Sequence, residues 1–292
     1  MLLLKEALPN LKPKRKQLKS SSPNSIKPSS KTVLRDGKTL RLNRYLADCG
    51  QGSRRKVEEF ITSGRIKVNG ILVKDLSRQI IPGKDKVTLD GKLIQPQKEK
   101  YYLILNKPRG FIVSQNDELG RKTVYSLLPP KGKQLAYAGR LDKNSEGLLL
   151  FTNDTALINL LTHPENKVEK VYRVDINRPL NNEELNILRK GVEIEGGKTL
   201  PAGIFVKSKK INGMTLKMVI TEGKKRQIRQ MIEAVGARVT YLKRLQFGPL
   251  KLKDLPVGRW RLLEPAEVKA LLSLKKEKKP NESRNNWSAE NR

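Results

Sequence analysis

In the stretch AGRLDKNSEGLLLFTND, residues 138–154, a single acid, Asp142, stands between a Gly-Arg-Leu turn and an apolar run of strand length. A turn on the rim of a buried strand projects its side chain into a cleft while the backbone stays fixed. A carboxylate placed there can attack an electron-poor carbon or stabilise charge building on it, as carboxylates do at anomeric centres. With basic neighbours it needs no special tuning to be ionised near neutrality. The bland alternative is an aspartate that forms its turn and does nothing else. A second group of candidates lies in EGKKRQIRQMIEAVGARV, residues 222–239. There Lys225, Arg226 and Arg229 sit at or beside the start of a helix whose apolar stripe is Ile228, Met231, Ile232 and Val235, within reach of a neighbouring acid or a phosphate.

The remaining reactive inventory is short. The one histidine, His163, precedes a proline at a helix end, and with one distant cysteine, Cys49, it cannot complete a His/Cys zinc site. No HExxH or CxxC pattern occurs, and there is no GxxxxGK[ST] loop, GxGxxG fingerprint or GxSxG elbow. Nucleotide hydrolysis, dinucleotide redox chemistry and that class of serine hydrolase lack their hardware. No metal and no organic cofactor are expected.

Charge points to the partner. Lys and Arg number 61 against 29 Asp and Glu, a formal net charge of +32 over 292 residues. Such a surface replaces the counterions condensed on a polyphosphate, so nucleic acid is the expected partner. No long apolar span and no basic amphipathic stretch rich in Trp or Phe marks a membrane protein. A lone cysteine excludes an internal disulfide and fits a reducing compartment. The opening MLLLK is too short for a signal peptide, and a cytoplasmic location is expected.

The elements that must hold these residues divide the chain into four parts. Residues 1–38 are rich in Lys, Ser and Pro and bury too little apolar surface to offset chain entropy; a disordered basic tail is expected. Residues 39–97 read as a compact α+β module. Leu42, Tyr45, Leu46 and Cys49 follow helical spacing up to Gly50; Ser53 is a candidate N-cap for a second helix through Val57, Phe60 and Ile61. The period then changes to two at Ile66 and Val68, and Asn69-Gly70 and Asp90-Gly91 supply hairpin turns. Arg41, Arg44, Arg54, Arg55, Lys56, Arg65 and Lys67 fall off the apolar faces and form a candidate cationic surface.

Residues 98–266 form the larger unit. Tyr101 to Leu105 read as a buried strand ended by the turn Asn106-Lys107-Pro108-Arg109-Gly110. GLLLFT is a second buried strand, followed by a helix capped at Asn153-Asp154. In EKVYRVDI, Tyr172, Val174 and Ile176 share one strand face, and Arg173 and Asp175 the other. A helix is expected between Asn181 or Asn182 and Gly191. With no regular βαβ repeat, the expected architecture is α+β, a mixed and largely antiparallel sheet with packed helices. Residues 267–292 read as a polar basic C-terminal tail.

Two stretches resemble known families. RLNRYLADCGQGSRRKVEEFITSGRIKVNG looks like the S4 RNA-binding domain, over about residues 40 to 87. GRLDKNSEGLLLFTND, with LNKPRGFIVS, HPENKVEKVYRV and EGKKRQIRQMIEAVGARVTYLKR in matching order, resembles the pseudouridine synthases of the RsuA/RluB/RluE/RluF class, over about Leu40 to Glu264. The resemblance implies that Asp142 is the essential aspartate, that the Tyr172 ring packs on the target base, and that Arg229 pairs with Asp142. It further implies that Ile228 and Leu141 line the pocket, and that Arg140 helps hold the RNA once the uridine has left its stack. Ser53, Lys107 and Arg226 join the S4 cations as expected RNA contacts.

The implied reaction breaks the C1′–N1 bond of a uridine, turns the uracil and rejoins it through C5, with no cofactor. Attack on C1′, attack on uracil C6 and removal of a ribose proton are three routes open to such a carboxylate. The expected partner is structured ribosomal RNA, in a stem-loop or a pre-ribosomal particle, acted on by a monomer. The single S4 module and KPRG context favour the large subunit; a small-subunit target is the alternative. A non-catalytic ribosome-assembly factor and a hydrolase of free nucleosides are the rival readings from other classes.

Overall fold

The computed structural model describes residues 39–96, 99–115 and 117–276. The expected tail at 1–38 and the boundary near residue 97 lie outside the described residues. The first module runs β1 (Leu40–Arg41), α1 (Leu42–Asp48), α2 (Arg54–Thr62), β2 (Ile66–Val68), β3 (Ile71–Val73), β4 (Gln79–Ile80), β5 (Val87–Leu89) and β6 (Lys92–Leu93). Local chemistry explains these elements. Ser53 Oγ accepts from the Lys56 N–H at 3.3 Å and caps α2, which buries Val57 and Ile61 one turn apart. Asn69 and Gly70 both adopt the left-handed backbone the tight β2–β3 turn requires, with φ of 52° and 84°. The helices close over the order β3-β2-β5-β6 around Leu42, Leu46, Ile66 and Val87.

The second unit comprises β7 (Tyr102–Lys107), β8 (Ala136–Ala138), β9 (Glu146–Thr152), α3 (Thr155–Thr162), β10 (Lys170–Ile176), α4 (Asn182–Lys190), β11 (Gly203–Lys210) and β12 (Gly213–Ile220). It continues through α5 (Gln227–Ala234), β13 (Val239–Phe247), β14 (Leu250–Lys251), β15 (Trp260–Leu262) and α6 (Pro265–Lys276). Its strands form one sheet of order β11-β12-β10-β13-β9-β7-β15, with β8 on β9 and β14 on β13. All pairings are antiparallel except β13 with β9, which join through two residue pairs, Lys243–Glu146 and Arg244–Gly147. Gly147 makes that junction possible. Its φ is 109°, and a Cβ there would stand 2.2 Å from the Arg244 carbonyl oxygen.

Burial follows the layers. β7 and β9 are covered on both faces: on one, Leu103, Leu105, Leu149 and Phe151 join the core of Val124 and Tyr125, whose ring meets Phe151 edge-on; on the other, Tyr102, Ile104, Leu148 and Leu150 join Leu157 and Leu161 of α3 and Leu271 of α6. Both therefore read as continuous apolar runs. β10 and β12 bury one face only, so they alternate, with Tyr172, Val174, Leu216 and Met218 inward. Among the described residues no helix is long and apolar enough to cross a membrane.

The structure corrects the reading of the C-terminal tail. Residues expected to begin a polar tail at 267 continue α6, whose Leu271 is fully buried against the α3 layer. Val268, Leu271 and Leu274 make a helical stripe that the surrounding lysines mask in composition. Burying one such leucine contributes about 1.5–3 kcal/mol toward ordering the segment. The tail proper, beyond residue 276, lies outside the described residues.

Candidate active site

Asp142 leaves the sheet just after β8. Gly139, with φ of 69°, turns the chain out of the strand, and the Asp142 carbonyl accepts from the Ser145 N–H at 3.0 Å to close a turn leading into β9. Beneath this turn lies Lys107. It is fully buried, and its ammonium donates to the carbonyls of Pro108 at 3.0 Å, Lys143 at 3.3 Å and Ser145 at 2.8 Å. Burial pushes its pKa down from an ordinary 10.5 to about 8, while the Asp142 and Glu146 carboxylates oppose the shift. The expectation that Lys107 contacts RNA is therefore wrong. A side chain with no exposed surface cannot reach a phosphate; it staples the Asp142 turn to the end of β7.

Arg229 comes from the other half of the sheet, in the first turn of α5. Gln227 Oε1 accepts from the Lys224 N–H at 3.1 Å, and the Gln227 amide donates to Glu222 at 2.7 Å, fixing the start of the helix. Arg229 Nε stands 4.0 Å from Asp142 Oδ2, with the arginine side chain 12% exposed and the aspartate 40%. Its Nη2 donates to the Asn144 carbonyl at 3.1 Å, so the guanidinium and the Lys107 ammonium hold the same turn through different carbonyls. Burial pushes the Arg229 pKa down, Asp142 opposes, and Arg226 and Arg109 push the same way as burial.

Asp142 borders a cleft of about 920 Å³, whose lining does not include Arg229. Its lining carries six cations, Arg121, Arg140, Lys143, Lys224, Lys225 and Arg226, around one acid, Asp142. Leu141, Tyr172 and Ile228 are 8%, 7% and 4% exposed and belong to one core cluster next to the pair. Leu141 is among the cleft-lining residues; Tyr172 and Ile228 are not. Arg140 and Arg226 are exposed on the cleft, Lys225 pairs with Glu195 at 3.0 Å, and Lys224 donates to the carbonyls of Gly196, Gly197 and Lys198. Arg121, Lys143 and Lys224 were not singled out from the sequence. Lys143 and Lys224 lie inside the quoted motifs with no signal of their own, and Arg121 lies outside them.

On the first module every expected contact residue is exposed: Arg41, Arg44, Ser53, Arg54, Arg55, Lys56, Arg65 and Lys67. Acids nevertheless neutralise some of them, Lys56 through Glu59, Arg65 through Asp90 and Arg44 through Asp48. Arg41, Arg44 and Arg54 line one groove of about 390 Å³. Ser53 uses its hydroxyl as the α2 cap.

Comparison with known proteins bears on both units. Residues 40–86 match the S4 domain, and residues 101–234 match the family described as RNA pseudouridylate synthase. The ribosomal large subunit pseudouridine synthase B of Bacillus subtilis (strain 168) is 38% identical over 236 residues, covering 80% of this chain and 96% of that one. Its counterpart in Escherichia coli O6:H1 is 37% identical over 241 residues, covering 80% and 82%. An uncharacterised RNA pseudouridine synthase of Aquifex aeolicus (strain VF5) is 36% identical over 233 residues, covering 80% and 93%. A crystal structure of a pseudouridylate synthase, 29% identical, superposes with a TM-score of 0.59 over 80% of this chain and 99% of that one. With an S4 module ahead of a synthase unit, and relatives 36–38% identical over most of their own length, the chain belongs to the RNA pseudouridine synthase family.

Proposed function

We propose that this synthase isomerises a uridine of large-subunit ribosomal RNA, with Asp142 as the carboxylate that does the chemistry. The observation that carries the assignment of Asp142 is its contact with Arg229, made by segments far apart in sequence at the edge of a cationic cleft. The large subunit is the substrate named for the Bacillus and Escherichia relatives.

The reaction suits this hardware. The C1′–N1 bond breaks, a C1′–C5 bond forms, C5 loses a proton and N1 gains one, so atoms and electrons balance with no added reagent. Asp142 addresses the sugar or the base by one of three routes: attack at C1′, attack at C6, or removal of a ribose proton. The Arg229 guanidinium sets a positive charge 4.0 Å from the carboxylate and holds its turn through the Asn144 carbonyl. Leu141 supplies apolar surface in the cleft, backed by Ile228 and the Tyr172 ring of the same core cluster, and a detached uracil rotates against it without hydrogen bonds that favour one orientation. Excluding water there keeps the intermediate from hydrolysing to an abasic site. Extruding the uridine costs roughly a few kcal/mol, which phosphate contacts from Arg140, Arg226 and the S4 groove of Arg41, Arg44 and Arg54 offset.

Asp142→Asn tests the chemical assignment. Pseudouridine formation is lost while RNA affinity falls by less than about tenfold, because phosphate contacts dominate binding. An unchanged pseudouridine yield rejects the role of Asp142. Mapping pseudouridines in ribosomal RNA from cells with and without the gene tests the substrate; a difference confined to the small subunit rejects the large-subunit reading.

A further inference from the structure

The cleft is lined both by Leu141 of the larger core and by Ile158 of α3; the face of β10 to β13 turned away from the Tyr172 core carries a different arrangement. In register across four strands stand Phe205, Lys217, Arg173 and Lys243, one residue from each of β11, β12, β10 and β13. At roughly 4.8 Å per strand the row spans roughly 14 Å. Arg173 follows Tyr172 directly, so it points away from the core that holds Tyr172. Like charges directly opposite each other destabilise a sheet, yet three cations here occupy three neighbouring strands.

Compensation within the fold is partial and falls at one end. Arg173 makes a two-pronged pair with Asp175, at 3.1 and 3.0 Å, and Lys243 approaches Glu146 at 3.4 Å. Lys217 has no acid partner among the described residues; its ammonium lies 5.6 Å from the centre of the Phe205 ring. That ring sits over Gly203, where an added Cβ would stand 3.1 Å from Phe205 Cε2, and it is still 52% exposed at the open edge of the sheet. Lys210, two residues beyond Ser208 on the same strand, adds another exposed cation to this edge. In the next strand row Tyr241 lies under the Arg173 guanidinium at 5.5 Å.

A half-exposed ring flanked by cations on an open sheet face is the combination that binds single-stranded RNA: a base stacks on the ring, and the lysines and arginine meet the phosphates. We infer that the face of β10–β13 turned away from the Tyr172 core is a second RNA-binding surface, which holds a single-stranded segment flanking the modified stem-loop through stacking on Phe205 and phosphate contacts to Lys217 and Arg173. An apolar protein partner is a poorer match, since the row presents charge where such a partner needs greasy area. The inference takes RNA as the substrate and is independent of which residue performs the isomerisation.

The test uses the full chain and a labelled 20-nucleotide oligouridylate, with affinity measured across a salt series. Phe205→Ala and Lys217→Glu are each expected to weaken binding about tenfold. Lys217→Glu also flattens the plot of log affinity against log salt by about 0.7. On total ribosomal RNA both variants raise KM while kcat holds, which separates this surface from any failure of the Asp142 assignment. Wild-type affinity and salt slope in both variants would overturn the inference. So would an equal loss of binding to polyglutamate, which marks a generic polyanion patch. Both side chains are partly or largely exposed, and unchanged thermal unfolding confirms that a loss of affinity is not a loss of fold.

Discussion

Replacing Lys107 by Met tests whether the buried staple orients the catalytic turn. Met keeps the length of the side chain and its apolar stem but removes three donated hydrogen bonds, to Pro108, Lys143 and Ser145. A buried acceptor left without a donor costs about 1–3 kcal/mol. Against this, the depression of the Lys107 pKa from 10.5 to about 8 corresponds to about 3 kcal/mol spent on burying its charge, which Met does not incur. The Gly110 N–H still donates to the Lys143 carbonyl, so the Pro108 and Ser145 carbonyls are left, about 2–6 kcal/mol together; the two effects partly cancel, and the net loss of stability is at most about 3 kcal/mol. Catalysis does not share that cancellation, because a displacement of about 1 Å in a reacting group costs roughly a hundredfold in rate. Single-turnover pseudouridine formation at saturating enzyme is expected to fall at least about tenfold in Lys107→Met. The pH dependence gives an independent reading. The folded pKa lies below the unfolded one, so the unfolded chain binds the extra proton between pH about 8 and 10.5, and this residue's burial penalty fades as pH rises through that window. Activity moves the opposite way, since above pH about 8 the neutral amine has two N–H groups for three carbonyls. Wild-type rate in Lys107→Met would falsify the staple; so would a wild-type rate that stays flat from pH 7 to pH 9.

Three further outcomes are expected. Arg229→Lys keeps the charge but loses the fork that reaches both Asp142 and the Asn144 carbonyl, so kcat drops by about tenfold or more with the melting temperature nearly unchanged; a wild-type single-turnover rate refutes this. Gly147→Ala drives a Cβ into the Arg244 backbone at a φ of 109°, and chemical denaturation is expected to show a loss of about 3 kcal/mol or more; a loss under 1 kcal/mol refutes the close approach. Changing Arg41, Arg44 and Arg54 together to Ala lowers the salt dependence of RNA binding by a slope of about 2 to 3, and an identical slope removes the S4 groove from the RNA surface.

Much of the fold is legible from short-range rules. The Asn69-Gly70 and Asp90-Gly91 turns, the Ser53 and Asp154 caps and the Asn181 capping box each follow from a few adjacent residues. What eludes local reading depends on contacts between distant segments. Lys107 looks like a surface residue because its three acceptors come partly from the turn at 143–145, brought over it by the pairing of β7 with β9. α6 hides because a stripe of three apolar residues is diluted by lysines, and its value appears only when α3 offers a surface to cover. The meeting of Asp142 with Arg229 has no local signal of its own; resemblance named the two residues, and sheet closure brings them together. Asp90 and Glu59, which blunt the first module's positive surface, are likewise matched to their cations only by the hairpin and helix that present them.

The narrow parallel splice between β13 and β9 has a kinetic implication. Asp142 belongs to the portion of the sheet on one side of it, and Arg229 enters just ahead of β13 on the other. A growing polypeptide can therefore possess its acid well before it possesses the arginine, and the two meet once β13 has docked. If Asp142 and Arg229 act together as proposed, competence for isomerisation arrives late in synthesis, after the S4 module has emerged.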